Sequence, residues 1–113
     1  ETSDLDLGLP DGCDDSMYLK GLANCLDQLE SRFEADCIIY LAGADPHEGD
    51  RLGRLSVSKS GMHLRDELVF EYAKTRSLPV AISMAGGYGK EIESTVDIHF
   101  QTIMTALRFQ KAD

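Results

Sequence analysis

The sequence predicts an α/β fold with a parallel sheet, and three observations carry that reading. Two short apolar runs, Cys37-Ile-Ile-Tyr-Leu-Ala42 and Val80-Ala-Ile-Ser-Met84, have the length and β-branched content of buried strands. Each is preceded by a segment with helical periodicity, and a third such segment closes the chain. Each run also ends in a cluster of turn residues, Gly43-Ala-Asp-Pro46 and Ala85-Gly-Gly-Tyr-Gly89. The order β-α-β-α-β-α, with strands covered on both faces, implies three layers, α/β/α, and right-handed crossovers.

Taken in order, residues 2–7 alternate weakly and are read as a strand at the rim, because Asp4 and Asp6 suit no central position. The Gly, Pro and Asp content of residues 8–15 makes a turn-rich connection. A helix is expected over 14–33, burying Tyr18, Leu22, Cys25, Leu26, Leu29 and Phe33 and leaving Lys20, Asn24, Asp27 and Arg32 in water. The strand over 37–42 and a long polar loop follow. Ser58 is placed as the N-cap of a second helix reaching residue 76, with Leu64, Leu68, Val69, Tyr72 and Ala73 inward and Arg65, Asp66, Glu67 and Lys74 outward. Pro79 opens the strand over 80–84. The last helix, 91–110, is expected to bury Ile92, Val96, His99, Ile103 and Leu107.

The 113 residues suffice for a single domain spanning 1–113. A net charge of −9, with the eleven basic residues scattered, argues against nucleic-acid and anionic-membrane partners. No apolar run could cross a bilayer and no signal peptide opens the chain, so a cytoplasmic location is expected, or a nuclear one in a eukaryote. Cys13, Cys25 and Cys37 fit no metal-finger or redox spacing and read as free thiols in a reducing compartment. The first residue is Glu1, so the chain is either processed or a piece of something longer.

Parallel strands share a direction, so the loops after Ala42 and Met84 leave the same edge of the sheet, where open α/β sheets place ligands. One loop carries Asp45 and the other Tyr88. A carboxylate beside a phenol suggests a metal ligand next to a donor for a developing oxyanion; alternatively, Asp45 caps its own turn and Tyr88 covers the sheet end. His47 is read as a solvated loop residue, His63 as a surface residue and His99 as a partly buried, hydrogen-bonded one. Ser56 and Ser58 have no neighbouring histidine in a nucleophile pattern. Gly86-Gly-Tyr-Gly89 lacks the further residues of a phosphate loop.

The segments LAGADPHEGDRLGRLSVSKSG, RDELVF and AGGY, in that order and spacing, resemble the C-terminal part of the histone deacetylase family. The likeness is closest to its class IV group, and LPDGCDD resembles the family's turn before a long helix. The resemblance implies a partial arginase/deacetylase fold and a zinc-dependent hydrolase acting on acylated lysine or a related amine. It assigns Asp45 as a zinc ligand and Tyr88 as the catalytic hydroxyl that polarises the amide carbonyl. Gly86, Gly87 and Leu52 match the substrate channel, and Asp50 and Arg51 match a loop motif expected to make structural hydrogen bonds. The family's Asp-x-His ligands and paired histidines lie upstream of anything in this sequence. With Asp45 as its single assigned ligand, the chain alone is expected to bind no zinc tightly, to be inactive and to self-associate. Two readings from other classes remain beside this one: a small acidic receiver-type binding module with Asp45 as acceptor, and a non-catalytic interaction fragment.

Overall fold

The computed structural model describes residues 4–44, 46–48, 55–84 and 92–111. Helix α1 (Asp15–Arg32) is capped by the Asp14 carboxylate, which accepts from the Met17 amide at 3.0 Å. Strand β1 (Ile38–Leu41) follows, then α2 (Lys59–Thr75), β2 (Val80–Ser83) and α3 (Ile92–Lys111). Ser58 caps α2 as expected, accepting from the Gly61 amide at 3.0 Å. These bounds fall within about two residues of the sequence expectation, because caps, Pro79 and the apolar runs mark them locally.

β1 and β2 pair in parallel, with Ile38 opposite Val80 and Leu41 opposite Ser83. The strand expected over 2–7 is not found where that segment is described, from residue 4 on; among the described residues the sheet has two strands. This part of the chain lies against α1 instead. The Asp4 carbonyl accepts from Arg32, and Leu7 and Leu9 come so close to Gly21 that a Cβ there would sit 2.8 Å from Leu7 Cδ2. An acid-rich segment with two leucines makes a better strap across a helix than a sheet strand.

The strand side chains divide sharply by face. Tyr40 is half-buried against α2, its ring meeting Phe70 edge-on at 5.7 Å between centroids, and Phe70 in turn meets Phe109 of α3. On the other face Ile39 is 72 % exposed and Leu41 66 %, with Ala81 and Ser83 also exposed. Of the three layers expected, the described residues therefore supply the sheet and one helical layer.

In two helices the buried face coincides only in part with the one apolar periodicity indicated; in α2, Val69 and Ala73 are buried as expected. In α2 the buried set is Gly61, Met62, Arg65, Asp66, Val69, Phe70 and Ala73, while Leu64 is exposed. In α3 Ile98, Thr102 and Thr105 are buried, whereas Ile92 and Val96 lie in the open and Ile103 and Leu107 are only partly covered. The reason is shared: Asp66 and His63 of α2 offer hydrogen-bonding partners to Thr102 and Thr105, which turns the threonine face of α3 toward α2. The small apolar core of Ala44, Val57, Met62 and Ile98, with Tyr18 and Leu55 packed against it, lies beside the exit of β1.

Candidate active site at the carboxyl ends of the strands

The chain leaves β1 and β2 at neighbouring points. The Ala42 amide donates to the Ser83 carbonyl at 2.8 Å, one step beyond the last paired residues, so both exits stand at the same end of the sheet. Asp45 and Tyr88 follow these exits in sequence but lie outside the described residues, as do Asp50, Arg51, Leu52, Gly86 and Gly87. What the structure does describe is the frame from which they depart.

That frame is tightly tied. After β1, Gly43 turns back with its amide on the Leu41 carbonyl at 3.1 Å, and Ala42 and Ala44 are fully buried. The His47 amide donates to Ala44 at 3.1 Å, the Glu48 amide to Val57 at 2.9 Å, and the Val57 amide to Pro46 at 3.0 Å. His47 is therefore buried in a short parallel bridge with Val57, not solvated as its loop position suggested. Pro46 and the β-branched Val57 are the sequence signals for such an extended clip. Ser56 donates to the Cys13 carbonyl, and Asp15 accepts from both the amide and the hydroxyl of Ser58, so α1 is fastened to the far side of the same loop.

Beneath the frame sits a charged network that sequence reasoning assigned to water. Arg65 and Asp66 are 3 % and 1 % exposed. The Arg65 Nε and Nη2 atoms donate to Asp66 Oδ1 at 3.1 and 2.9 Å, and Nη1 donates to the Gly43 carbonyl at 2.5 Å. The Tyr40 hydroxyl donates to the same carboxylate, and the Thr102 hydroxyl lies 2.5 Å from its Oδ2. Burial raises the Tyr40 phenol far above its ordinary range, with Arg65 pulling the other way and Asp66 adding to the rise. Tyr18 is raised for the same first reason. Burial works against the Arg65 charge, but Tyr40, Asp66 and Tyr18 outweigh it and the net shift is upward. One signal for Asp66 was present in the sequence: it stands at i+4 from Met62 and i−3 from Val69, on the stripe that is buried.

The other histidines differ from expectation in detail. His63 is half-buried between α2 and α3, not on the surface; its Nε2 is 2.5 Å from Glu67, and its Nδ1 is within 3.3 Å of Gln101 and Thr105. His99 is half-buried as expected, but its Nδ1 has no hydrogen-bond partner among the described residues. The three cysteines are free. No three His, Cys, Asp or Glu side chains among the described residues are grouped to hold a metal ion, and none of the described helices is long and apolar enough to cross a membrane.

Two parallel strands with both exits at one end of the sheet, and helices packed on one face, fit a partial arginase/deacetylase fold. The structure matches acetylpolyamine aminohydrolase from Burkholderia pseudomallei with a TM-score of 0.76 over 90 % of this chain and 28 % of that one, at 24 % identity. The histone deacetylase domain family matches residues 1–103, and the chain belongs to that family. An uncharacterized protein of Picosynechococcus is 44 % identical over 88 % of this chain and 33 % of its own length. Histone deacetylase 2 of Arabidopsis thaliana is 38 % identical over 65 % of this chain and 19 % of its own. The chain thus spans a third or less of these relatives. Family membership supersedes the receiver-type reading.

Proposed function

We propose that these residues form the C-terminal part of a zinc-dependent deacetylase catalytic domain, removing an acyl group from lysine or a related amine. The observation that carries the proposal is the pairing of the two strand exits: Leu41 and Ser83 are register partners, so the loops bearing Asp45 and Tyr88 depart side by side. Asp45 is assigned as one zinc ligand and Tyr88 as the hydroxyl that binds the developing oxyanion. Gly86, Gly87 and Leu52 are assigned to the substrate channel, and Asp50 and Arg51 to the loop's own hydrogen bonds. The names of the relatives, a histone deacetylase and an acetylpolyamine aminohydrolase, support an acylated amine as substrate. The class IV likeness of the EGDRLG, RDELVF and GGY series and a cytoplasmic location belong to the same proposal.

A catalytic zinc takes three protein ligands and leaves a position for water. Asp45 is one candidate ligand, and the described residues supply no further cluster. The 113-residue chain by itself is accordingly proposed to be inactive. The test uses a polypeptide of the relatives' length that contains these residues. There, Tyr88→Phe should lower kcat on an acetyl-lysine peptide or an acetylated polyamine by about two to three orders of magnitude while zinc content holds. Undiminished turnover would remove Tyr88 from the mechanism.

A further inference from the structure

The Arg65–Asp66 pair is a costly way to fill the interior. Two adjacent ionised side chains, both almost fully buried, gain little net stability over apolar residues of the same volume. What apolar residues could not do is grip a backbone carbonyl. Gly43 lies beyond the last β1 residue, so its carbonyl is outside the named strand pairing. Arg65 Nη1 reaches it at 2.5 Å, and the rest of the guanidinium is held in place by Asp66. Asp66 is in turn held by Tyr40 from β1 and Thr102 from α3. Elements β1, α2 and α3 thus meet at this ion pair, and the third arm of the guanidinium ends on the first turn after β1. The planar fork is what makes this possible: a lysine could reach Asp66 or Gly43 but could not present the same fixed set of donors to both.

We propose that Arg65 is a positioning residue: clamped by Asp66, it fixes the direction in which the chain leaves β1, and with it the turn residues Gly43, Ala44, Pro46, His47 and Glu48. The consequence for chemistry rests on the function proposed above, since Asp45 belongs to that turn by sequence; the clamp itself does not.

Hydrogen exchange on the 113-residue chain tests the clamp directly. Arg65→Lys keeps a cation beside Asp66 and gives up the fork. The amides of His47, Glu48 and Val57, which are bonded within the turn and its clip, should exchange about tenfold faster. The Ile38 amide, bonded to Pro79 at the opposite end of β1, should change by less than about twofold. Should that variant fail to fold, the triple variant Tyr40→Phe, Arg65→Met, Asp66→Val removes the clamp together with the charges it would strand. The same contrast between turn and strand is expected there. Equal acceleration at Ile38 and in the turn, or no acceleration at either, would overturn the proposal. In a polypeptide of the relatives' length, Arg65→Lys should weaken zinc binding about tenfold at a temperature where the variant is still fully folded, a change that loss of general stability would not give. If that polypeptide in its natural form bound no zinc, the functional reading would fall, while the exchange contrast would still decide the clamp.

Discussion

Replacing Asp66 with alanine should remove a large share of the stability of this chain, and the structure says why. The carboxylate neutralises Arg65, which is 3 % exposed, and accepts from Tyr40 and Thr102. Leaving a buried cation without its partner costs about 3–5 kcal/mol. The stranded Tyr40 hydroxyl adds about 1 kcal/mol or more. Thr102 adds little, because its hydroxyl also lies 3.1 Å from the Ile98 carbonyl. The sum, about 4–6 kcal/mol, compares with a total of about 5–15 kcal/mol for a typical domain. Asp66→Asn keeps one acceptor and loses the charge, so it should cost about 1.5–3 kcal/mol. The triple variant Tyr40→Phe, Arg65→Met, Asp66→Val should lie within about 2 kcal/mol of the natural chain, since both charges leave together. The exposed pair Lys59–Asp97, at 3.1 Å, supplies a control whose removal should cost below about 1 kcal/mol. Urea unfolding at one fixed protein concentration reads all four, since association would otherwise shift the midpoints. An Asp66→Ala cost below about 1 kcal/mol, or a triple variant as unstable as Asp66→Ala, would refute the reasoning.

The raised phenols give an alkaline signature. Because the folded-state values of Tyr40 and Tyr18 lie above the unfolded value of about 10, their contribution is complete below that pH and lost above it, at about 1.4 kcal/mol per pH unit for each. Tyr40→Phe should flatten the fall in urea midpoint above about pH 10; parallel profiles for the two chains would contradict this. Gly61→Ala should destabilise the chain by about 1–3 kcal/mol although alanine favours helices, because its Cβ would meet the Asp15 carboxylate and lie 2.8 Å from Val57 Cγ1. Thermal melting reads the sign, and a stabilised variant would show that α1 and α2 separate easily. The open apolar faces, Ile39 and Leu41 on the sheet and Ile92, Val96 and Phe100 on α3, should make the isolated chain associate. Sedimentation velocity across a concentration series should show species larger than a monomer, and a monomer throughout would oppose the expectation.

The elements themselves were legible because their signals are local: the Asp14 and Ser58 caps, the apolar runs, and the proline before β2. Which face each helix turns inward was less legible. Periodicity finds the most apolar stripe, and in α3 that stripe runs through Ile92, Val96, Ile103 and Leu107, of which the described residues leave the first two open and cover the last two only in part. The buried face is set instead by a pairwise event, Thr102 meeting Asp66 across two helices, which no single segment encodes. Arg65 and Asp66 were assigned to solvent for the same reason: charge predicts exposure unless a partner is known, and here the partners are each other, Tyr40 and Gly43. The residues 2–7 failed as a strand because weak alternation cannot distinguish a sheet rim from a strap along α1. For the site, parallel strand direction placed both loop exits at one end, and the adjacent register of Leu41 and Ser83 agrees.

Zinc stoichiometry is the measurement closest to the central claim, that this chain contributes Asp45 to a metal site it does not complete. Metal analysis after dialysis should find no tightly held zinc on the 113-residue chain. A polypeptide of the relatives' length should hold one zinc per chain and lose it on Asp45→Ala, while Tyr88→Phe keeps it. Retention of zinc by Asp45→Ala, or one tightly held zinc on the 113 residues alone, would contradict the account.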